Sequence, residues 1–206
     1  MKKYLTAVSA TALICVAPYV MAASSTDLTV TGTITPNACT PTLSGNGLVD
    51  YGKISAKDLN QDSSTPLEDR TVILSVNCDA ATRFALKGID NRLGSSDLNS
   101  TFGLGKVNGV QNLGRYLLTM ASAVADGVDV LPIKSKDGET GWHGHLFWMP
   151  GDFASVADRT DASQPINVQD LTMELLVDTS IVAANKLDLT SEITIDGSAT
   201  FEMKYL

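Results

Sequence analysis

From residue 23 onward, apolar and polar residues alternate over short runs, and no stretch holds an apolar period of 3.6. That pattern predicts strands rather than helices. Nine strands are expected: Leu28 to Ile34, Leu48 to Ile54, Thr71 to Asn77, Arg83 to Ile89, Arg115 to Met120, Val128 to Ile133, His145 to Met149, Leu171 to Val177 and Ala199 to Leu206. Between them stand Asn46-Gly47, Asn108-Gly109, Asp126-Gly127, Asp137-Gly138 and Asp196-Gly197, pairs that tolerate the positive φ of tight turns. A short helical turn fits Phe153 to Arg159, and Ala121 to Ala125 reads as strand extension or coil. Many short strands set apart by turn signals describe an all-β sandwich. The chain carries no internal repeat and no low-complexity segment, and the small polar stretch Gly94 to Thr101 is only of loop length.

The first 22 residues break the pattern. Lys2 and Lys3 precede an apolar run from Leu5 to Ala17, Pro18 ends it, and Val20-Met21-Ala22 closes on a small residue. This is the layout of a secretory signal peptide, with cleavage expected after Ala22 and Cys15 discarded with it. The apolar run is too short for a bilayer core, which needs about 20 residues, so no membrane span is expected once the signal is removed. Cleavage leaves 184 of the 206 residues. A chain of that size is expected to form one domain and to bury about 70% of its unfolded surface.

Charge narrows the partners. Lys and Arg number 15 against 23 Asp and Glu, and loss of the two signal lysines takes the formal charge from −8 to −10. Such a chain has no basic surface to neutralise phosphates, so nucleic acid and anionic membranes are not expected partners. Two cysteines remain, Cys39 and Cys78. In an exported, oxidising setting they are expected to pair rather than stay free, and no neighbouring ligands support a metal site. Closing the loop between them contributes about 4 kcal/mol in the chain-entropy account.

The segment Leu28-Thr29-Val30-Thr31-Gly32-Thr33-Ile34 puts Leu28, Val30, Gly32 and Ile34 on one face of an extended chain and threonines on the other. Taken alone it reads as a first strand of the sandwich. Gly32 stands seven positions before Cys39, the second cysteine closes the strand Val72 to Cys78, and an alternating strand with penultimate Tyr205 ends the chain. Together with the signal peptide, these features resemble chaperone-usher fimbrial (pilus) subunits over essentially the whole exported chain. The stretches FGLGKVNG (102–109) and LGRYLL (113–118) look like the divergent β-type fimbrial major-subunit family. Ile193 departs from the glycine that many such subunits carry fourteen positions from the end.

The resemblance implies an immunoglobulin-like β-sandwich lacking its final strand, with residues 23–35 as a donor-strand extension and 36–206 as the sandwich. It implies a structural subunit carried through the periplasm to a cell-surface fimbria, with a periplasmic chaperone, an outer-membrane usher and other pilus subunits as partners. Leu28, Val30 and Ile34 are then expected to fill pockets in a neighbour, and Gly32 to cross a shallow place that admits no Cβ. The strand carrying Phe201, Met203 and Tyr205 is expected to border the groove, with Glu202 and Lys204 toward solvent and the Leu206 carboxylate held by basic groups of the chaperone.

Other residues argue weakly for chemistry. His143 and His145 share a face if their segment is a strand, but a third metal ligand is wanting. Gly103-Leu104-Gly105 lacks the Lys and Ser or Thr of a phosphate loop and reads as a turn. Asn99-Ser100-Thr101 matches a glycosylation triplet, and nothing resembles a nucleophile elbow. No catalytic residue, cofactor or metal is expected. The alternative to a fimbrial subunit is a monomeric secreted or periplasmic binding module that stacks a carbohydrate or surface ligand on Trp142 and Trp148. The two readings part at residues 23 to 34, which a polymerising subunit leaves free and a monomer builds into its own sheet.

Overall fold

The computed structural model describes residues 26, 28–32 and 38–206. The expected signal segment, 1–22, and Ile34 lie outside them. The chain divides into two units, Met1–Ile34 and Thr35–Leu206. In the first, residues 28–32 join no ladder among the described residues and all are exposed, Leu28 by 89% and Val30 by 86%.

The second unit is all-β. Its strands are β1 Cys39–Leu43, β2 Thr65–Pro66, β3 Arg70–Thr82, β4 Phe84–Asp90, β5 Phe102–Gly103, β6 Lys106–Val107, β7 Gln111–Asn112, β8 Gly114–Ala125, β9 Val128–Asp129, β10 Leu131–Ser135, β11 His143–Gly144, β12 Phe147–Trp148, β13 Phe153–Ala157, β14 Val168–Ile181 and β15 Ala199–Tyr205. One sheet runs β1-β3-β14-β8-β12, with β2 on β14 and β5 and β9 on β8. The other runs β11-β10-β13-β4-β15, and β6 with β7 forms a small separate ribbon. All pairings are antiparallel.

The core lies where the two sheets face each other. Val72, Leu74, Val76 and Cys78 of β3 point inward at every second position, as do Leu171, Met173, Leu175 and Val177 of β14. Phe84 and Leu86 of β4 and Val156 of β13 meet them from the second sheet. In β8 the alternation slips at Ala121 and Ser122, both exposed, where the register against β14 shifts between Glu174 and Leu175. The strand absorbs one extra residue there and continues to Ala125, so this stretch is strand extension through a bulge. A smaller cluster of Ala85, Ile133, Trp142 and Ala157 covers part of the second sheet's other face.

Three of the expected turn pairs hold both residues at positive φ: Asn46-Gly47, Asn108-Gly109 and Asp126-Gly127. The last joins β8 to β9, as a two-residue hairpin turn should. Elsewhere the expectations change. Phe153 to Ala157 is not a helical turn but strand β13, because it pairs with β10 on one side and β4 on the other while Ala154 and Val156 fill the core face. Leu48 to Ile54 forms no strand: Gly47 and Gly52 sit at φ +73° and +63° and break the extended run at both ends. Cys39–Leu43, unassigned by pattern, becomes edge strand β1, where Pro41 is tolerated.

Candidate functional site

Strand β15 is the outer strand of its sheet. It pairs with β4 from Ala199↔Asp90 to Tyr205↔Phe84, and its other edge pairs with no strand among the described residues. Ala199, Phe201 and Met203 lie half-buried against the core while Thr200 and Glu202 are exposed. Leu48, Val49 and Tyr51 of the unladdered stretch 48–54 line a common cavity with Ala199 and Phe201 of β15. An apolar groove opens between 48–54 and β15, and a second, mixed polar and apolar cavity adjoins it between 49–56 and 187–195. One, of about 310 Å³, is lined by Leu43, Leu48, Val72, Leu118, Leu175 and Phe201 among others. The second, of about 650 Å³, is lined by Leu59, Leu113, Leu187, Lys53, Glu192 and Thr194 among others. Val49, Tyr51 and Ile195 line both.

The walls are fixed by local bonds. Tyr51 donates its hydroxyl to Thr179 Oγ1 at 2.9 Å, and the Arg70 guanidinium stands 5.7 Å from its ring centroid. Burial raises the Tyr51 phenol pKa against the opposing pull of the Thr179 bond. Between Ile195 and Gly197, which line the groove, Asp196 accepts from Arg92 through Nη2–Oδ1 and Nε–Oδ2 contacts of 2.7 and 2.8 Å. Those bonds hold the Asp196 carboxyl below its ordinary value. Asp196 N donates to Leu104 O at 3.0 Å. Gly197 packs closely beside it: a Cβ there would lie 3.1 Å from Leu104 and 3.2 Å from the Tyr116 ring.

The start of β1 is tied both to β3 and to the end of β15. Cys39 and Cys78 are joined by a disulfide and lie directly opposite each other in the β1–β3 ladder, 3.9 Å apart at Cα. Cys39 N donates to Tyr205 Oη at 2.9 Å, joining the start of β1 to the end of β15. Tyr205 and Leu206 are both exposed, and Leu206 N donates to Arg83 O. Lys204 reaches Asp137 O and Glu139 Oε1.

Of the remaining predicted residues, Leu28, Val30 and Gly32 are exposed in the first unit. A Cβ added at Gly32 meets nothing within 4 Å. The tryptophans do not form a stacking face. Trp148 is 0% exposed, donates Nε1–H to Asp152 O and packs on Phe201 with ring centroids 4.6 Å apart, while Trp142 is 8% exposed in the smaller cluster. Their aromatic surface is used for packing. His143 belongs to β11 and His145 to no strand, their rings stand 6.0 Å apart, and no group of three metal-ligating side chains occurs among the described residues. No helix among them is long and apolar enough to cross a membrane.

Sequence reasoning missed Val49, Tyr51, Ile193 and Ile195. The alternation Ile193-Thr194-Ile195 running into β15 was a usable signal, whereas nothing local marks Tyr51 as a groove wall.

Residues 28–114 match a family described as a protein of unknown function (DUF1120). The chain is 27% identical to Protein GltF of Escherichia coli (strain K12) over 251 aligned positions, covering 100% of this chain and 99% of that protein. It is 24% identical to Uncharacterized protein YhcF of the same organism over 222 positions, covering 90% and 92%. The family match takes in Leu28, both cysteines and Tyr51 but stops before β15.

Proposed function

We propose that this chain is a structural subunit of a cell-surface fimbria, exported to the periplasm, held there by a chaperone and polymerised at an outer-membrane usher by donor-strand exchange. On this reading the second unit is an immunoglobulin-like sandwich lacking its last strand, and residues 28–34 of one copy complete the sandwich of the next. The observation that carries the reading is the open apolar groove beside the unpaired edge of β15. An exposed apolar groove next to a free strand edge is an aggregation hazard unless another chain fills it. An extended strand suits that role: its backbone pairs with the edge, and alternate side chains seat below. The segment Leu28 to Ile34 spans about 20 Å when extended, a typical strand length. Donation from copy to copy is head-to-tail and does not close, so it builds a fibre. The role requires no catalytic residue and no cofactor.

The test uses the chain from Ala23 onward, assayed for polymers that resist detergent. The unaltered chain is expected to form them. Gly32→Arg is expected to block them while leaving the melting temperature of the monomer nearly unchanged, because the new side chain meets open space in its own molecule. Polymers of normal length from Gly32→Arg would defeat the proposal.

A further inference from the structure

We infer that Asn46-Gly47 is a self-modification site: the Gly47 backbone nitrogen attacks the Asn46 carboxamide, and the product shifts the rim of the groove. The chemistry stands apart from the donor-strand reading, and only its consequence for assembly rests on that reading. The chain holds two Asn-Gly pairs, 46–47 and 108–109, each with both residues at positive φ. A following glycine has no side chain to shield its amide nitrogen, so these are the asparagines most open to ring closure. The two turns differ in how the asparagine is held. Asn108 donates Nδ2–H to Asp188 Oδ2 at 3.1 Å, a bond to a carboxylate that fixes the side chain. Asn46 is exposed, no hydrogen bond among the described residues holds its carboxamide, and residues 44–47 bury no side chain. Few contacts therefore oppose the local opening that lets Asn46 Cγ swing onto Gly47 N.

The step balances without an oxidant or cofactor. Gly47 N gives its proton to a base in solvent, bonds to Asn46 Cγ and expels the side-chain nitrogen as ammonia, leaving a cyclic succinimide. Water then opens the ring. Attack at Cγ gives aspartate on the original main chain. Attack at the main-chain carbonyl gives isoaspartate, whose main chain runs through Cγ and is longer by a methylene. The downstream side takes up the added length, because Ser44 is fixed upstream: its Oγ accepts from Ile73 N at 2.9 Å. Gly47 lies close against Leu43, since a Cβ there would stand 2.9 Å from Leu43 Cδ1. Lengthening the chain just before it pushes Gly47 and Leu48 away from Leu43, and all three line the groove with Phe201. The Leu48 N to Gly45 O bond of 3.1 Å spans the altered residue and is lost.

The experiment ages the purified chain in mildly alkaline buffer, which speeds loss of the Gly47 proton, and follows it by peptide mapping and enzymatic methylation of isoaspartate. Exchange of the amide NH2 for OH adds about 1 Da. That gain is expected at residue 46, and at least about tenfold more slowly at residue 108. In Asp188→Ala, which frees the Asn108 carboxamide, residue 108 is expected to convert as well. Equal conversion at 46 and 108 in the unaltered chain, or none at 46, overturns the inference. Hydrogen exchange at the Leu48 amide reads the rim without any polymer. It is expected to speed up as isoaspartate forms, and to stay as in the fresh protein in aged Asn46→Gly, which keeps the left-handed backbone and lacks the carboxamide. Unchanged Leu48 exchange in the converted chain overturns the shift of the rim. Detergent-resistant polymer is expected to fall in proportion to isoaspartate in the aged chain and to persist in aged Asn46→Gly. Undiminished polymer from the converted chain overturns the consequence for assembly. A fresh chain that forms no polymer defeats the donor-strand reading instead, and the mass and exchange results still decide the modification.

Discussion

Replacing Cys39 and Cys78 together by alanine tests how the start of β1 is held. The disulfide closes a loop over a sequence separation of 39, which in the chain-entropy account contributes about 4 kcal/mol at 25 °C. A second loss follows from position. Strand β1 is an edge strand whose ladder partner is β3 alone, so without the covalent link it frays from Cys39, and the Cys39 N to Tyr205 Oη bond goes with it. One neutral hydrogen bond adds about 1 kcal/mol. The expected total is thus about 4–5 kcal/mol, or roughly 10–20 °C in melting temperature for a domain of this size. The assay is urea unfolding of the unaltered and double-alanine chains, with a thiol count on the unreduced, denatured protein. That count should be zero for residues 39 and 78. A count of two, or a stability difference below about 1 kcal/mol against the several expected from loop closure, would refute the reasoning.

Other substitutions probe the packing that shapes the groove. Trp148→Ala is expected to cost about 3–5 kcal/mol in urea unfolding, because a fully buried indole is removed from beside Phe201 and a cavity is left. Gly103→Ala is expected to destabilise by about 1–3 kcal/mol, since its Cβ would overlap Ser95 Oγ and stand 2.9 Å from Arg92 O and Ser96 N. Gly151→Ala has open space around it and should cost only the left-handed backbone penalty at φ +86°, about 1–2 kcal/mol. Asp137 has its carboxyl pKa held well below the ordinary range by bonds from the Thr140 hydroxyl, the Thr140 and Glu139 amides and the Ser135 hydroxyl. A depressed folded-state value stabilises above the unfolded pKa and is lost as pH falls through the folded one. Asp137→Ala should therefore be less stable than the parent chain at pH 7, and the gap should close in melts run below about pH 4. A gap that widens with acid would contradict this assignment.

Much of the fold could be read directly. Strands β3, β4, β8, β14 and β15 were legible because each has one face on a core, and burial of one face imposes a period of two on residue choice. The turn pairs at 46–47, 108–109 and 126–127 were legible because positive φ restricts residue type locally. The Cys39–Cys78 pairing followed from cysteine number and the expectation of export alone. Other features depend on neighbours distant in sequence. Strand β13 looked helical because Phe153 to Ala157 has no clean alternation, and only its fit between β10 and β4 makes it a strand. Conversely, Leu48 to Ile54 alternates well enough but has no partner strand to pair with among the described residues, and its apolar side chains line the groove instead. The tryptophans show the same limit. An aromatic run says that surface must be covered, but only the sandwich decides that Trp148 is covered by Phe201 and not by a ligand. Composition and period thus determined the layers, because they record which faces leave water. The groove was decided by tertiary structure, because its lining brings together residues 48–54, β14 and β15, which are distant in sequence.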